Sequence, residues 1–197
     1  MDRDTSDHKW KVLITVATGS TMVAVDLSIL TTCLPHLAKV FRTDSSVIAW
    51  LNIVYFIMTQ SLMLTIAKLG DAKGRKKVFV AGLGLYAIGL FVASLSQTLP
   101  QLIAARFLQG AAGATVTALG MAITVATFRA EERGKAIGVL MGCISIGLVA
   151  GPMIGGFLLD LLGWRAVFYT RIPFMVASLL LAWNIIGEQK TALGHFR

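Results

Sequence analysis

Long apolar runs alternate with short polar links along nearly the whole chain. Six stretches reach the roughly 20 mostly apolar residues that a helix needs to cross a bilayer core, near 10–34, 47–67, 78–96, 101–128, 136–160 and 166–186. The links are short, so neighbouring spans must run antiparallel, and no low-complexity linker divides the chain. The pattern predicts an all-α membrane protein: a six-helix transmembrane bundle over 10–186, with a tail over 1–9 and another over 187–197.

Composition agrees with the pattern. The 197 residues are 56% hydrophobic and 14% charged, with a mean hydropathy of +0.75, more apolar than a soluble domain of this length needs to fill one core. The first run is too long for a signal-peptide core and follows a tail that carries Asp2, Asp4 and Asp7 beside Arg3 and Lys9. It reads as an uncleaved span.

The net charge of +8 does not point to nucleic acid, because the basic residues sit between apolar segments instead of alternating with aromatics. Placing both termini, the 68–77 loop and the 129–135 loop on one side gives that side 13 of the 18 Lys and Arg, against 3 on the other. The bias puts that side, and both termini, in the cytoplasm of a cell that carries the chain in its plasma or inner membrane. Cys33 and Cys143 lie in apolar segments and make neither a disulfide framework nor a metal site. His8, His36 and His195 lie outside the spans, and neither H-E-x-x-H nor G-x-S-x-G occurs, so no enzyme, metal or cofactor chemistry is expected.

Two charges fall where the bilayer makes them expensive. Asp26 precedes Pro35 by nine residues, which places it roughly 14 Å below the outer surface, near the midplane. A carboxylate there must face a cavity, meet a partner or be protonated. Thr15, Thr18 and Met22 share its face at steps of three and four, a stripe suited to a cavity wall. Arg106 lies inside the fourth span, with Gly113, Thr117 and Thr124 continuing its face. The pair can simply hold helices together, or it can form a proton and substrate site. Arg171, near the outer end of the sixth span, either snorkels to the interface or adds charge to the same cavity. Trp10, Trp50, Trp164 and Trp183 sit near span ends and read as interfacial anchors.

The fifth span, "ISIGLVAGPMIGGFLLDLLGW", carries the two residue types that most weaken a helix. Pro152 cannot donate to the Leu148 carbonyl and should bend the helix. Gly147, Gly151 and Gly155 recur every four residues, leaving one face bare for close approach of another backbone.

Together these segments resemble the N-terminal six-helix half of the major facilitator superfamily, and within it the fourteen-span drug:proton antiporters. "AKLGDAKGRKKV" is similar to the loop G-x-L-x-D-R-x-G-R-R/K between helices two and three: Leu69, Asp71, Gly74, Arg75 and Lys76 match, while Ala67 and Ala72 depart from it. "VDLSILTTCLP" resembles the first-helix motif, with Asp26 at its acidic position, and "LIAARFLQGAAGA" the fourth, with Arg106, Gln109, Gly110 and Gly113. "GWRAVFYTRIP" resembles the start of helix six, with Arg171 where the family usually has Asn. "GLVAGPMIGG" resembles the antiporter motif G-x-x-x-G-P-x-x-G-G, formed here by Gly147, Gly151, Pro152, Gly155 and Gly156.

The resemblance implies two bundles, each of 3+3 inverted repeats, rocking about a midplane site. Asp26, Arg106, Gln109 and Thr117 would line the cavity, with Asp26 exchanging a proton against cargo. Asp71, Gly74, Arg75 and Lys76 would form a cytoplasmic gate, and the helix-five motif would seal the bundle. The implied cargo is a small lipophilic drug, cationic if Asp26 faces it, with anionic or neutral metabolites left open by Arg171. Besides lipid, protons and cargo, the expected partner is a C-terminal helical half, a second copy or a separate subunit. The alternative is a non-transporting six-helix subunit that acts only through assembly.

Overall fold

The structure, a computed structural model, describes residues 2–187, with side chains from residue 7 onward; most of the expected second tail, 188–197, lies outside the described residues. Six helical spans cross the bundle: α1 (Asp2–Val40); the short α2 (Ser45–Ile48) continued by α3 (Trp50–Lys73); α4 (Arg75–Leu95); α5 (Leu99–Thr127); α6 (Ala130–Leu162); and α7 (Ala166–Tyr169) continued by α8 (Ile172–Ile185).

The helices outrun the apolar windows. α1 takes in the expected tail from Asp2 and passes Pro35 to end at Val40, α3 reaches Lys73, and α6 begins at Ala130. Apolar length reports the thickness of the bilayer core, whereas a helix, whose backbone bonds are internal, runs on until a local signal stops it. Gly74, at φ 97°, ends α3, and Gly163, at φ 79°, ends α6; both lie in the left-handed region that disfavours a side chain. At the start of α5, Gln101 Oε1 accepts from the backbone N–H of Thr98 at 3.2 Å and of Gln97 at 2.9 Å, with Pro100 in the first turn. The sixth span is broken at Thr170 and Arg171, between α7 and α8; Pro173, in the first turn of α8, has no N–H to carry the backbone ladder back across the break.

Packing repeats within the bundle. α1 lies along α6 as α5 lies along α3, and α1 meets α8 as α5 meets α4. Exchanging the first three spans with the last three therefore preserves the neighbours. With spans alternating in direction, a repeat of three must be inverted relative to the next.

Close approach is built in the same way in both halves. An added Cβ at Gly151 would overlap Ser28 and lie 3.0 Å from the Ile29 nitrogen, and one at Gly147 would lie 2.9 Å from the Thr21 carbonyl. One at Gly110 would lie 2.7 Å from the Tyr55 carbonyl. A hydroxyl crosses each contact: Ser28 Oγ donates to the Gly147 carbonyl at 3.3 Å, and Thr59 Oγ1 to the Gly110 carbonyl at 3.0 Å.

α6 continues through Pro152, and its buried residues beyond the first turns are Gly147, Gly151 and Gly155. Gly156 does not belong to that seam: nothing among the described residues lies within 4 Å of a Cβ placed there, because one further residue turns the position about 100° around the helix.

Gly151→Leu is expected to destabilise the protein by about 1–3 kcal/mol through overpacking against α1, while Gly156→Leu leaves stability unchanged. Thermal unfolding of the two variants in lipid nanodiscs measures the difference.

Candidate functional site

The carboxylate of Asp26, wholly buried in the middle of α1, collects partners from three other spans. Its Oδ2 accepts from Arg106 Nη1 of α5 at 2.5 Å and from the Tyr86 hydroxyl of α4 at 2.7 Å. Its Oδ1 accepts from Nη1 of Arg171, at the break between α7 and α8. Arg106 also donates through Nη1 to Gln109 Oε1 at 2.9 Å and through Nε to the Leu51 carbonyl at 3.3 Å, and its guanidinium lies 4.4 Å from the centroid of the Tyr55 ring. Arg171 Nε donates to the Val167 carbonyl at 2.6 Å.

Two guanidiniums face one carboxylate, so the cluster carries a formal surplus of one positive charge. Donors outnumber acceptors: Arg106 Nη2, Arg171 Nη2 and Gln109 Nε2 are buried without a hydrogen-bond partner among the described residues. Arg171 is only 4% exposed. The reading in which it snorkels to the interface is thereby corrected, since the Asp26 charge draws it inward.

Of the four residues expected to line a cavity, Asp26, Arg106 and Gln109 are wholly buried between helices, because the carboxylate is saturated by partners inside the bundle. Thr117 alone lines an open cleft. That cleft, of about 280 Å³, opens between α1, α3, α5 and α6 and is walled by Val23, Leu27, Met63, Met121 and Met141 among others. A wider recess of about 660 Å³ shares Met63 and Met121 with it and reaches Arg75.

At the end of the bundle that holds the basic loops, Arg75 pairs with Asp71 at 2.8 Å, and its Nη1 donates to the Ala122 carbonyl of α5 at 3.3 Å. The pair spans the Gly74 turn and ties it to α5; Lys76 lies half-buried beside it. Lys9 pairs with Glu132 at 2.7 Å, joining the starts of α1 and α6 at the same end. At the other end Arg165 Nη2 donates to the Ser96 carbonyl at 3.1 Å. Trp164 departs from the anchor pattern: it is 7% exposed and packs against Phe41 and Phe168.

Sequence reasoning missed Tyr86 and Tyr55. Their signal was available: a tyrosine inside an apolar span needs a partner for its hydroxyl or a use for its ring.

The family model of the Major Facilitator Superfamily matches residues 16–196. The chain belongs to the major facilitator superfamily. It is 35% identical over 181 residues to the riboflavin transporter RibZ of Clostridioides difficile, covering 92% of the chain and 40% of that relative. It is 31% identical over 177 residues to the multidrug resistance protein Stp of Mycobacterium tuberculosis (89% and 33%), and 29% identical over 181 residues to the tetracenomycin C resistance and export protein of Streptomyces glaucescens (92% and 34%). The chain thus spans between a third and two fifths of the length of these relatives. Six apolar helices in a member of this superfamily make it a multi-pass membrane protein.

The charge balance orders the effects of substitution. Asp26→Asn leaves two buried guanidiniums without a counter-charge and is expected to cost on the order of 3–5 kcal/mol. Arg106→Met should rank next, because it strips donors from Asp26, Gln109 and Leu51 together. Arg171→Met should be mildest, since a neutral Asp26–Arg106 pair remains. Denaturation of the three variants in nanodiscs checks the order.

Proposed function

We propose that the chain forms the N-terminal six-helix part of a cell-membrane transporter, both ends cytoplasmic, that exports small lipophilic molecules in exchange for protons. The observation that carries this reading is the ion cluster around Asp26. A carboxylate placed inside a membrane bundle and bound to two guanidiniums is a group that can gain and lose a proton as helices shift. A riboflavin transporter, a multidrug resistance protein and an antibiotic export protein among the relatives favour an organic cargo.

In this reading Asp26 is the proton carrier, Arg106 holds it and is itself held by Gln109, and Thr117 faces the cargo path. The Asp71–Arg75 pair at the Gly74 turn, with Lys76, latches the cytoplasmic side. The seam of Gly147, Gly151 and Gly155, on the helix that Pro152 is expected to bend, keeps the bundle closed to leak while it rocks against a second helical half, another copy or a separate subunit.

The test uses inverted membrane vesicles containing the complete protein, loaded acid inside. Dye should accumulate, and a protonophore should abolish the accumulation. Asp26→Asn, made alone and with Arg171→Asn so that the buried charge stays at its native value, should lose gradient-driven accumulation while retaining dye exchange at uniform pH. Accumulation that survives in both variants and still follows the pH gradient would remove Asp26 from the coupling.

A further inference from the structure

We infer that the cargo seat on this chain is the methionine-lined cleft between α1, α3, α5 and α6, that it takes an uncharged lipophilic molecule in preference to a cation, and that it is separate from the carboxylate of Asp26. The inference rests on the transporter reading and specifies its cargo class.

The first support is where the charge lies. Both oxygens of Asp26 are taken, by Arg106, Tyr86 and Arg171, and the carboxylate is wholly buried. No negative charge is left to recognise a cation, and the cluster's surplus is positive, so it repels one. The cleft offers no replacement: among the described residues its polar side chains are the hydroxyls of Ser20 and Thr117, and no charged one lines it. A cation moved there from water would lose its hydration without a counter-charge.

The second support is geometric. Ser20, Val23, Ala24 and Leu27 carry the α1 wall of the cleft, and at 100° per residue that face is centred roughly a third of a turn from Asp26. On α5, Thr117 follows Arg106 by eleven residues, about 16 Å along the axis. Proton and cargo thus occupy different faces of α1 and different levels of α5, and they communicate through movement of these helices instead of competing for one carboxylate.

The third support is the chemistry of the wall. Met63, Met121 and Met141 come from three different helices. Flexible, polarisable thioethers adapt to varied apolar shapes and sit well against aromatic rings. A volume of about 280 Å³, joined to a recess that shares two of these methionines, is near the lower bound for drug-sized pockets. Two hydroxyls can orient a polar atom of an otherwise apolar guest.

The experiment measures binding with no proton gradient. The complete protein in nanodiscs, with empty nanodiscs subtracted, is titrated with Nile red as the uncharged probe, ethidium as the cation and carboxyfluorescein as the anion. Nile red should bind saturably and about tenfold or more tighter than either ion. Met141→Trp and Met63→Trp, both at half-exposed positions on the wall, should weaken it about fivefold or more, a smaller step on the same scale. Met153→Trp, on the exposed face of α6 away from the cleft, should leave it unchanged. Met141→Glu should reverse the preference in favour of ethidium.

Ethidium or carboxyfluorescein binding as tightly as Nile red in the unmodified protein would overturn the cargo class. Nile red affinity untouched by both tryptophan substitutions would overturn the location, with lipid or another helix filling the cleft. Either failure leaves the proton-exchange reading standing, because no gradient enters the measurement. Loss of gradient-driven transport with normal Nile red binding would instead count against that reading alone.

Discussion

The buried carboxylate of Asp26 is the constraint around which the bundle is arranged. Inside a bilayer the helices gain little from hydrophobic contact with one another, since lipid tails are equally apolar, and specific polar and close-packed contacts must fix their places. Asp26 cannot stay ionised there without partners, and it finds them on α4, α5 and the break between α7 and α8. One side chain therefore sets the mutual position of four spans. Bare glycine faces let α6 approach α1 and α3 approach α5, and α3 is also tied to the cluster through its Leu51 carbonyl and Tyr55 ring against Arg106. Charge holds the centre and close backbone contact holds the flanks.

This division explains which surfaces are left open. α3 and α6 are the least buried of the spans and α1 the most buried, so the flanking helices present apolar faces outward while the cleft opens where they border α1 and α5. The contacts that seat α3 and α6 combine close backbone approach with inward side chains, Tyr55 against Gly113 and Ile29 against Gly155. Their outer faces are free to carry methionines and other apolar groups with no structural duty toward the charged centre.

Much of this was legible in the sequence because the bilayer imposes strong rules. Apolar length revealed the six spans, the cost of intramembrane charge singled out Asp26 and Arg106, and the four-residue step of Gly147, Gly151 and Gly155 marked the seam. What the sequence concealed was governed by local geometry or by pairing across the fold. Helix ends followed Gly74, Gly163 and the break at Thr170 and Arg171 instead of hydropathy. Arg171 could equally have reached outward; its inward course depends on how far the broken sixth span brings it toward α1, a distance that spacing along the chain does not encode. Gly156 shows the limit of motif matching, since it belongs to the motif while helical periodicity turns it away from the seam.

The same burial that stabilises the cluster restricts how it can act. Every oxygen of Asp26 is held by a donor and no part of it meets solvent, so a proton reaches it only when some of those donors withdraw. Arg106 is anchored by Gln109, the Leu51 carbonyl and the Tyr55 ring, and moving it would strip several groups at once. Arg171 is held by the Val167 carbonyl of its own span and by Asp26, at a point where the helix is already interrupted. Of the two guanidiniums it is the one whose departure leaves a neutral, fully formed pair behind. The surplus charge that makes the cluster costly to bury thus also makes the Arg171 bond the one whose loss leaves the least unpaired charge behind.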